Sequence, residues 1–258
     1  MTDAPANMSG QFKGHVLLVR IAYDPKTNDE VRDWQEQECF DLTQAGYLVT
    51  PAAKKGTADL EDNRNTVASQ FYQRPQFTHL IMFDQDVRGT PGALRRLVEH
   101  DVDLVAGVYR KRVAGQGFAV RTLPGPAETV DPKTGKYKAD GLIKIAGAPG
   151  GLLCMTRACI EKMVTAYSDH WYASGLVPGG RVWALFEFDV IDHERISEDM
   201  NFSRRWRELG GDLWADPHLE LHHHGDAAFS GRYIDHLRQL GKLIEPGKMA
   251  RIETPAAH

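Results

Sequence analysis

Cysteine is scarce in this chain of 258 residues: only Cys39, Cys154 and Cys159 are present. An odd count without metal-ligand spacing argues against a disulfide framework or a thiolate zinc site, and suits thiols in a reducing, cytoplasmic setting. No apolar run approaches the roughly 20 residues of a spanning helix. The opening MTDAPANMSGQFKG carries no apolar core of a signal peptide. Net charge is small, −4, so no global field draws the protein to nucleic acid. Internal repeats, low-complexity segments and linker-like stretches are lacking too. One domain over residues 1–258 is the economical expectation, with flexible ends at 1–12 and 244–258. What remains, 42% hydrophobic and 26% charged residues, is the composition of an ordinary soluble enzyme.

Along the first half, strand and helix patterns alternate. His15–Tyr23 is aliphatic and unbroken. Glu30–Ala45 is amphipathic and closed by Gly46, and Tyr47–Thr50 reads as a short strand stopped by Pro51. Leu60–Gln73 places Val67, Phe71 and Tyr72 about a turn apart. A strand follows at His79–Phe83, then a helix at Pro91–His100 capped by Thr90, then a strand at Asp103–Val108. This order predicts an α/β fold with a mostly parallel central sheet and helices on both faces. Ligands of such sheets gather at the carboxyl ends of the strands.

The second half is less regular. Residues 113–140, rich in Gly, Pro, Lys and Thr, read as a long loop or insert. Leu142–Ala146 is a strand before the glycine turn GAPGG, and Thr156 caps a helix to Tyr167. Trp171–Arg181 is a Gly/Pro-punctuated loop. Strands at Phe186–Val190 and Leu213–Ala215 flank a helix at Glu198–Leu209, and Arg232–Leu243 reads as a surface helix.

The chemistry is concentrated where FTHLIMFDQD, Phe77–Asp86, turns from apolar to anionic. Asp84 and Asp86 lie at i and i+2 beyond a buried strand and point to one side. Hard oxygen donors at that spacing suit Mg²⁺ or Mn²⁺, which would hold a substrate's phosphates; a solvated turn is the bland alternative. A DxD phosphatase wants Thr or Val two residues past the second aspartate, where this chain has Arg88. Ser197, Glu198 and Asp199 make a helix N-terminus by themselves, and equally a general base facing the ligand edge. Asp189, Asp192, His193 and Glu194 read as loop residues. In LELHHHG, alternation turns His223 inward as a metal ligand and leaves His222 and His224 as an exposed strand end. Asn63 is a candidate cap, and Arg64 a candidate phosphate or base contact. Arg110–Lys111–Arg112 follows a strand at the ligand edge, where it would meet a diphosphate or solvent.

The ordered set NRN (Asn63–Asn65), Thr78–Val87, Asp103–Arg112, Gly147–Arg157, Ser197–Pro217 and His222–Gly225 resembles nucleotide-sugar glycosyltransferases of the GT-A type. It spans His15 to Gly231 and is similar to small bacterial and phage-borne enzymes of family 2 and to Anp1-like mannosyltransferases. The resemblance implies a GT-A, Rossmann-like sheet and a Mn²⁺ or Mg²⁺ cofactor. It implies hexosyl transfer, with inversion, from a UDP- or GDP-sugar to a hydroxyl of a glycan, lipid, protein or modified DNA. Asp86 would ligate the metal directly, Asp84 would support metal and ribose, and His223 would complete the sphere. Asp199 would be the base that activates the acceptor, with Glu198 beside it. Arg64, Tyr23 and Arg110 would contact the donor, and Gly150 and Gly151 would line the acceptor side. A GT-A-shaped protein that binds a nucleotide or glycan without turnover is the rival, although a binding module needs no aligned base.

Overall fold

The computed structural model describes residues 12–22, 28–55, 59–113, 117–225 and 228–245. The chain runs β1 (Gly14–Ile21), α1 (Asp29–Gln44), β2 (Tyr47–Lys54), α2 (Leu60–Tyr72), β3 (His79–Asp84), β4 (Val87–Gly89), α3 (Ala93–Glu99) and β5 (Leu104–Gly107). It continues with β6 (Arg121–Thr122), β7 (Ala127–Glu128), β8 (Ile143–Gly147), β9 (Leu152–Thr156), α4 (Arg157–Ala166), β10 (Trp171–Ala173) and β11 (Arg181–Trp183). Then follow β12 (Asp189–Ile191), β13 (Glu194–Ile196), α5 (Glu198–Glu208), β14 (Trp214–Asp216), β15 (Glu220–His224), β16 (Ala228–Arg232), α6 (Tyr233–Gln239) and β17 (Leu243–Ile244).

Eight strands form one sheet in the order β2-β1-β3-β9-β5-β14-β8-β6. β1 pairs in parallel with β2 and β3, and β14 with β5. β9 and β8 run against their neighbours, so the other six strands point one way. Side chains alternate across this sheet with a period of two. Leu17, Val19, Leu80 and Met82 meet α2, α4 and α5 through Phe71, Ile160, Met163, Phe202 and Trp206. Val16, Leu18, Ile81 and Phe83 meet α1 and α3 through Val31, Trp34, Leu94 and Leu97. With both faces covered, the central strands read as continuous apolar runs. The expected α/β class, mostly parallel with helices on both sides, is what forms. No helix among the described residues is long and apolar enough to cross a membrane.

Several boundaries differ from the sequence expectation for physical reasons. β2 continues through Pro51, which pairs with Leu18. β2 has one sheet neighbour only, and a proline is tolerated on such an edge. α3 starts at Ala93, not Pro91, and its N-cap Gly92 lies at φ 84° without a side-chain cap of its own. Glu38 of α1 supplies the cap instead: its buried carboxylate accepts from Gly92 N and Leu94 N, each at 2.7 Å. α2 is capped by Asp59, so Asn63 is an interior helix residue and not a cap. Segment 171–183 is an antiparallel pair, β10 with β11. In place of the strand expected at Phe186–Val190 there is a hairpin that starts three residues later, β12 with β13. Its turn residues Asp192 and His193 take φ 52° and 67°, the left-handed values of a two-residue hairpin turn. Residues 117–140 hold β6 and β7, which pair with β8 and β17. The expected flexible tail thus begins inside a strand; residues 1–11 and 246–258 lie outside the described residues.

Candidate functional site

The site is assembled at the carboxyl end of β3 by a strand that runs the other way. β9 pairs antiparallel with β3, Phe83 opposite Leu152, so the glycine turn that opens β9 sits beside Asp84. Asp84 N donates to Gly151 O at 3.1 Å, and Gln85 N to Ile21 O at 2.9 Å. Those two bonds fix the backbone of the DQD segment between the glycine turn and β1.

Arg64 is the hub. It projects from α2 and is only 2% exposed. Nη2 donates to both Asp84 oxygens, at 2.8 and 3.1 Å, and Nη1 donates to Glu198 at the first turn of α5. Burial alone would depress the guanidinium pKa, but the Asp84, Glu198 and Asp199 carboxylates outweigh it and raise it. Burial raises the Glu198 carboxyl above its ordinary range, and Asp199 adds to this, with Arg64 opposing. Next to Glu198, Asp199 Oδ2 accepts from Gly150 N at 2.9 Å, and Oδ1 accepts from Met200 N at 2.7 Å and from Ser197 Oγ. Ser197 therefore ends the helix by holding Asp199 rather than by capping a backbone N–H.

Gly150 and Gly151 are places of close approach. A Cβ at Gly151 would stand 2.4 Å from the Tyr109 hydroxyl oxygen, which accepts from Gly151 N at 3.1 Å. Burial, followed by the Asp84 and Asp199 charges, raises the Tyr109 pKa, so the hydroxyl keeps its proton. The Tyr109 ring packs edge-on against His223, centroids 4.7 Å apart.

His223 lies on β15, opposite Val87 of β4. Its Nδ1 is 2.9 Å from Arg110 O; a carbonyl only accepts, so Nδ1 carries the proton and Nε2 the lone pair. Burial lowers the His223 pKa, which favours the neutral ring. Nε2 stands 3.9 Å from Asp86 Oδ1, a buried oxygen with no hydrogen-bond partner among the described residues. The Arg112 guanidinium closes this corner, pairing with Asp86 Oδ2 and donating from Nε to His223 Nε2 at 2.8 Å. Arg110, by contrast, lays its guanidinium over the Phe118 ring, 5.1 Å from the centroid.

Asp86 and His223 fit a divalent ion. An orphaned carboxylate oxygen and an imidazole lone pair 3.9 Å apart can share one cation at about 2.1 Å from each. Four carboxylates here, Asp84, Asp86, Glu198 and Asp199, face the two guanidiniums of Arg64 and Arg112, and that negative excess favours a cation. The expected three-ligand set is not preassembled, because Asp84 spends both oxygens on Arg64. Among the described residues no group of three or more His, Cys, Asp or Glu side chains converges to hold a metal.

Of the expected site residues, Arg64, Asp84, Glu198, Asp199, Gly150 and Gly151 form one cluster; Asp86 and His223 form an adjoining corner. Tyr23 lies outside the described residues. Tyr109 belongs to the site although sequence reasoning gave it no role, and Arg112, expected within Arg110–Lys111–Arg112 to meet a diphosphate or solvent, turns to Asp86 and His223. The signal available was position alone, since both follow β5 at the ligand edge. A separate cavity of about 930 Å³, lined by Pro126, Lys144, Trp214 and Lys242 among others, shares no residue with this site.

No protein-family model matches the chain, and no curated protein sequence does. Among solved structures it is similar to a protein of the virus STIV, with 14% identity, TM-score 0.50, and coverage of 84% of this chain and 90% of that one. It is similar to the catalytic domain of Drosophila beta-1,4-galactosyltransferase 7 in complex with xylobiose, at 13% identity and TM-score 0.40, covering 79% of this chain and 66% of that one. A structure of GalNAc-T7 with UDP, GalNAc and Mn²⁺ is matched at 10% identity and TM-score 0.40, over 81% of this chain and 43% of that one. At these identities the likeness is one of fold.

Proposed function

We propose that this protein is a single-domain glycosyltransferase that moves a hexosyl group from a UDP- or GDP-sugar to an acceptor hydroxyl, with inversion, in the cytoplasm. The observation that carries the reading is the meeting of Arg64, Asp84, Glu198 and Asp199 at one sheet edge, beside the Asp86–His223 corner. Both terminal nitrogens of Arg64 are held by carboxylates, Nε has no partner among the described residues, and Gly150 covers the guanidinium. Its role is accordingly to hold Asp84 and the first turn of α5 in register, so that Asp84 meets the ribose. Asp86 and His223 would hold Mn²⁺ or Mg²⁺, whose bound charge stabilises the departing diphosphate.

Asp199 is fixed by the Gly150 and Met200 N–H groups and by Ser197. A carboxylate so oriented takes the acceptor proton as the acceptor oxygen attacks the anomeric carbon. The bond from that carbon to the diphosphate oxygen breaks, and the nucleoside diphosphate leaves with its electron pair. Tyr109 keeps its hydroxyl proton available to a sugar oxygen above the glycine turn.

The test is thermal stabilisation by UDP and GDP with and without Mn²⁺, followed by a donor screen read by mass spectrometry. Stabilisation that needs nucleotide and metal together, with turnover of one donor sugar, is the expected result. A shift without turnover of any donor would make this a nucleotide-binding module. No shift with any nucleotide would remove both readings.

A further inference from the structure

We propose that Arg112 is a resident counter-cation of the Asp86–His223 corner, which a divalent ion must displace and which then serves the donor's diphosphate. This rests on the reading of that corner as a metal site. His223 has committed Nδ1 to Arg110 O, which leaves one lone pair, on Nε2. Arg112 Nε–H already uses that lone pair, at 2.8 Å. A nitrogen with a single lone pair cannot bind a metal and accept this hydrogen bond together. Occupation by the metal and by Arg112 is therefore mutually exclusive at His223.

Exposure decides which partner yields. The Asp86 and His223 side chains are 11% and 14% exposed, whereas the Arg112 side chain is 40% exposed. The two acceptors are walled in by β4, β15 and Tyr109, while the guanidinium sits on a long stem open to water. Rotation of that stem frees the corner without moving the sheet. The guanidinium also leaves Asp86 Oδ1 without a partner. A planar fork has satisfied only part of the pocket, and a metal would reach the remaining oxygen. Once displaced, Arg112 would present two N–H groups in the geometry that recognises phosphate oxygens. The residue would thus block the ion in the empty protein and reward it when donor arrives with it.

The experiment uses the full chain and Arg112→Met, which keeps the apolar stem and removes charge and donors. Mn²⁺ alone is titrated and read from the loss of the free-ion electron paramagnetic resonance signal; UDP and GDP are then titrated at saturating Mn²⁺ by calorimetry. Arg112→Met should bind Mn²⁺ alone about threefold to tenfold more tightly, the range expected from removing a half-solvated ion pair. It should bind the nucleotide diphosphate more weakly by a similar factor. A folding defect would weaken both, so the opposite signs are diagnostic. Equal or weaker Mn²⁺ binding in the variant overturns the counter-cation and leaves the proposed function standing. Tighter Mn²⁺ binding with unchanged nucleotide affinity overturns the handover to diphosphate. Absence of Mn²⁺ binding in both proteins, with and without nucleotide, removes the metal reading and this inference together.

Discussion

Gly150 lies against the guanidinium of Arg64: a Cβ built on it would stand 2.7 Å from Arg64 Cζ and 2.8 Å from Nη2. Arg64 cannot retreat, because Asp84 and Glu198 grip it from two sides. Gly150→Ala should therefore cost about 1–3 kcal/mol, the usual penalty of overpacking, and abolish stabilisation by nucleotide. Urea unfolding and thermal shift measure the two effects. A variant with the wild-type midpoint would mean that the hub is looser than its contacts imply.

Asp86 and Asp199 should separate cleanly in their consequences. Asp86→Ala removes a proposed ion ligand, so Mn²⁺-dependent stabilisation by UDP or GDP should vanish. Asp199→Ala should keep that stabilisation and lower the transfer rate by about 10²–10⁴-fold, the usual contribution of a general base. Loss of binding in Asp199→Ala would reassign that carboxylate to the donor.

The Glu38 carboxylate tests a structural claim remote from the chemistry. It accepts from Gly92 N and Leu94 N, and burial pushes its carboxyl above the ordinary range, with those backbone bonds opposing. Glu38→Ala leaves two donors at the start of α3 unsatisfied and should destabilise by about 2–4 kcal/mol, with nucleotide affinity unchanged. Denaturant midpoints report it; a loss below about 0.5 kcal/mol would show that water replaces the cap.

Acid sensitivity is expected from Asp216. Burial would raise its carboxyl, but hydrogen bonds from His100 and Arg96 outweigh that and hold it below the ordinary 3.8. His100 Nε2 lies 2.7 Å from Oδ2, and His218 N donates to Oδ1 at 3.0 Å. A depressed folded pKa contributes stability that is complete above the unfolded value and lost as pH falls through the folded one. The wild type should therefore lose stability on acidification below about pH 3.8. Asp216→Asn should be less stable at pH 7 by about 2–4 kcal/mol, discounted because Arg96 is partly solvated, and flatter across the acid range. Parallel acid limbs in the two proteins would refute the assignment.

Much of the scaffold was legible because β1 and β3 are apolar on both faces and α1, α2, α4 and α5 keep helical spacing. Asp84, Asp86 and Asp199 stood out as acids beyond the end of a strand or at the start of a helix. What stayed hidden depends on partners distant in sequence. Nothing near Gly92 announces that Glu38, 54 residues earlier, will cap α3. Within Arg110–Lys111–Arg112, local charge cannot tell that Arg112 turns to Asp86 while Arg110 covers Phe118. The β12–β13 hairpin escaped because Asp192–His193 is not a typical pair for a left-handed turn.

β9 has one more consequence, for how the chain is made. β3 and β5 are close in sequence, yet they do not touch in the sheet; β9 separates them and pairs with both. A nascent chain that ends before Leu152 holds two apolar strands with open edges facing a gap of one strand's width. Such edges invite pairing with other chains. Fragments cut between β5 and β9 should thus aggregate rather than fold, and a late, non-local insertion makes this a slow step. The strand that joins β3 to β5 also delivers Gly150 and Gly151, so the centre of the sheet and the glycine turn of the site form together.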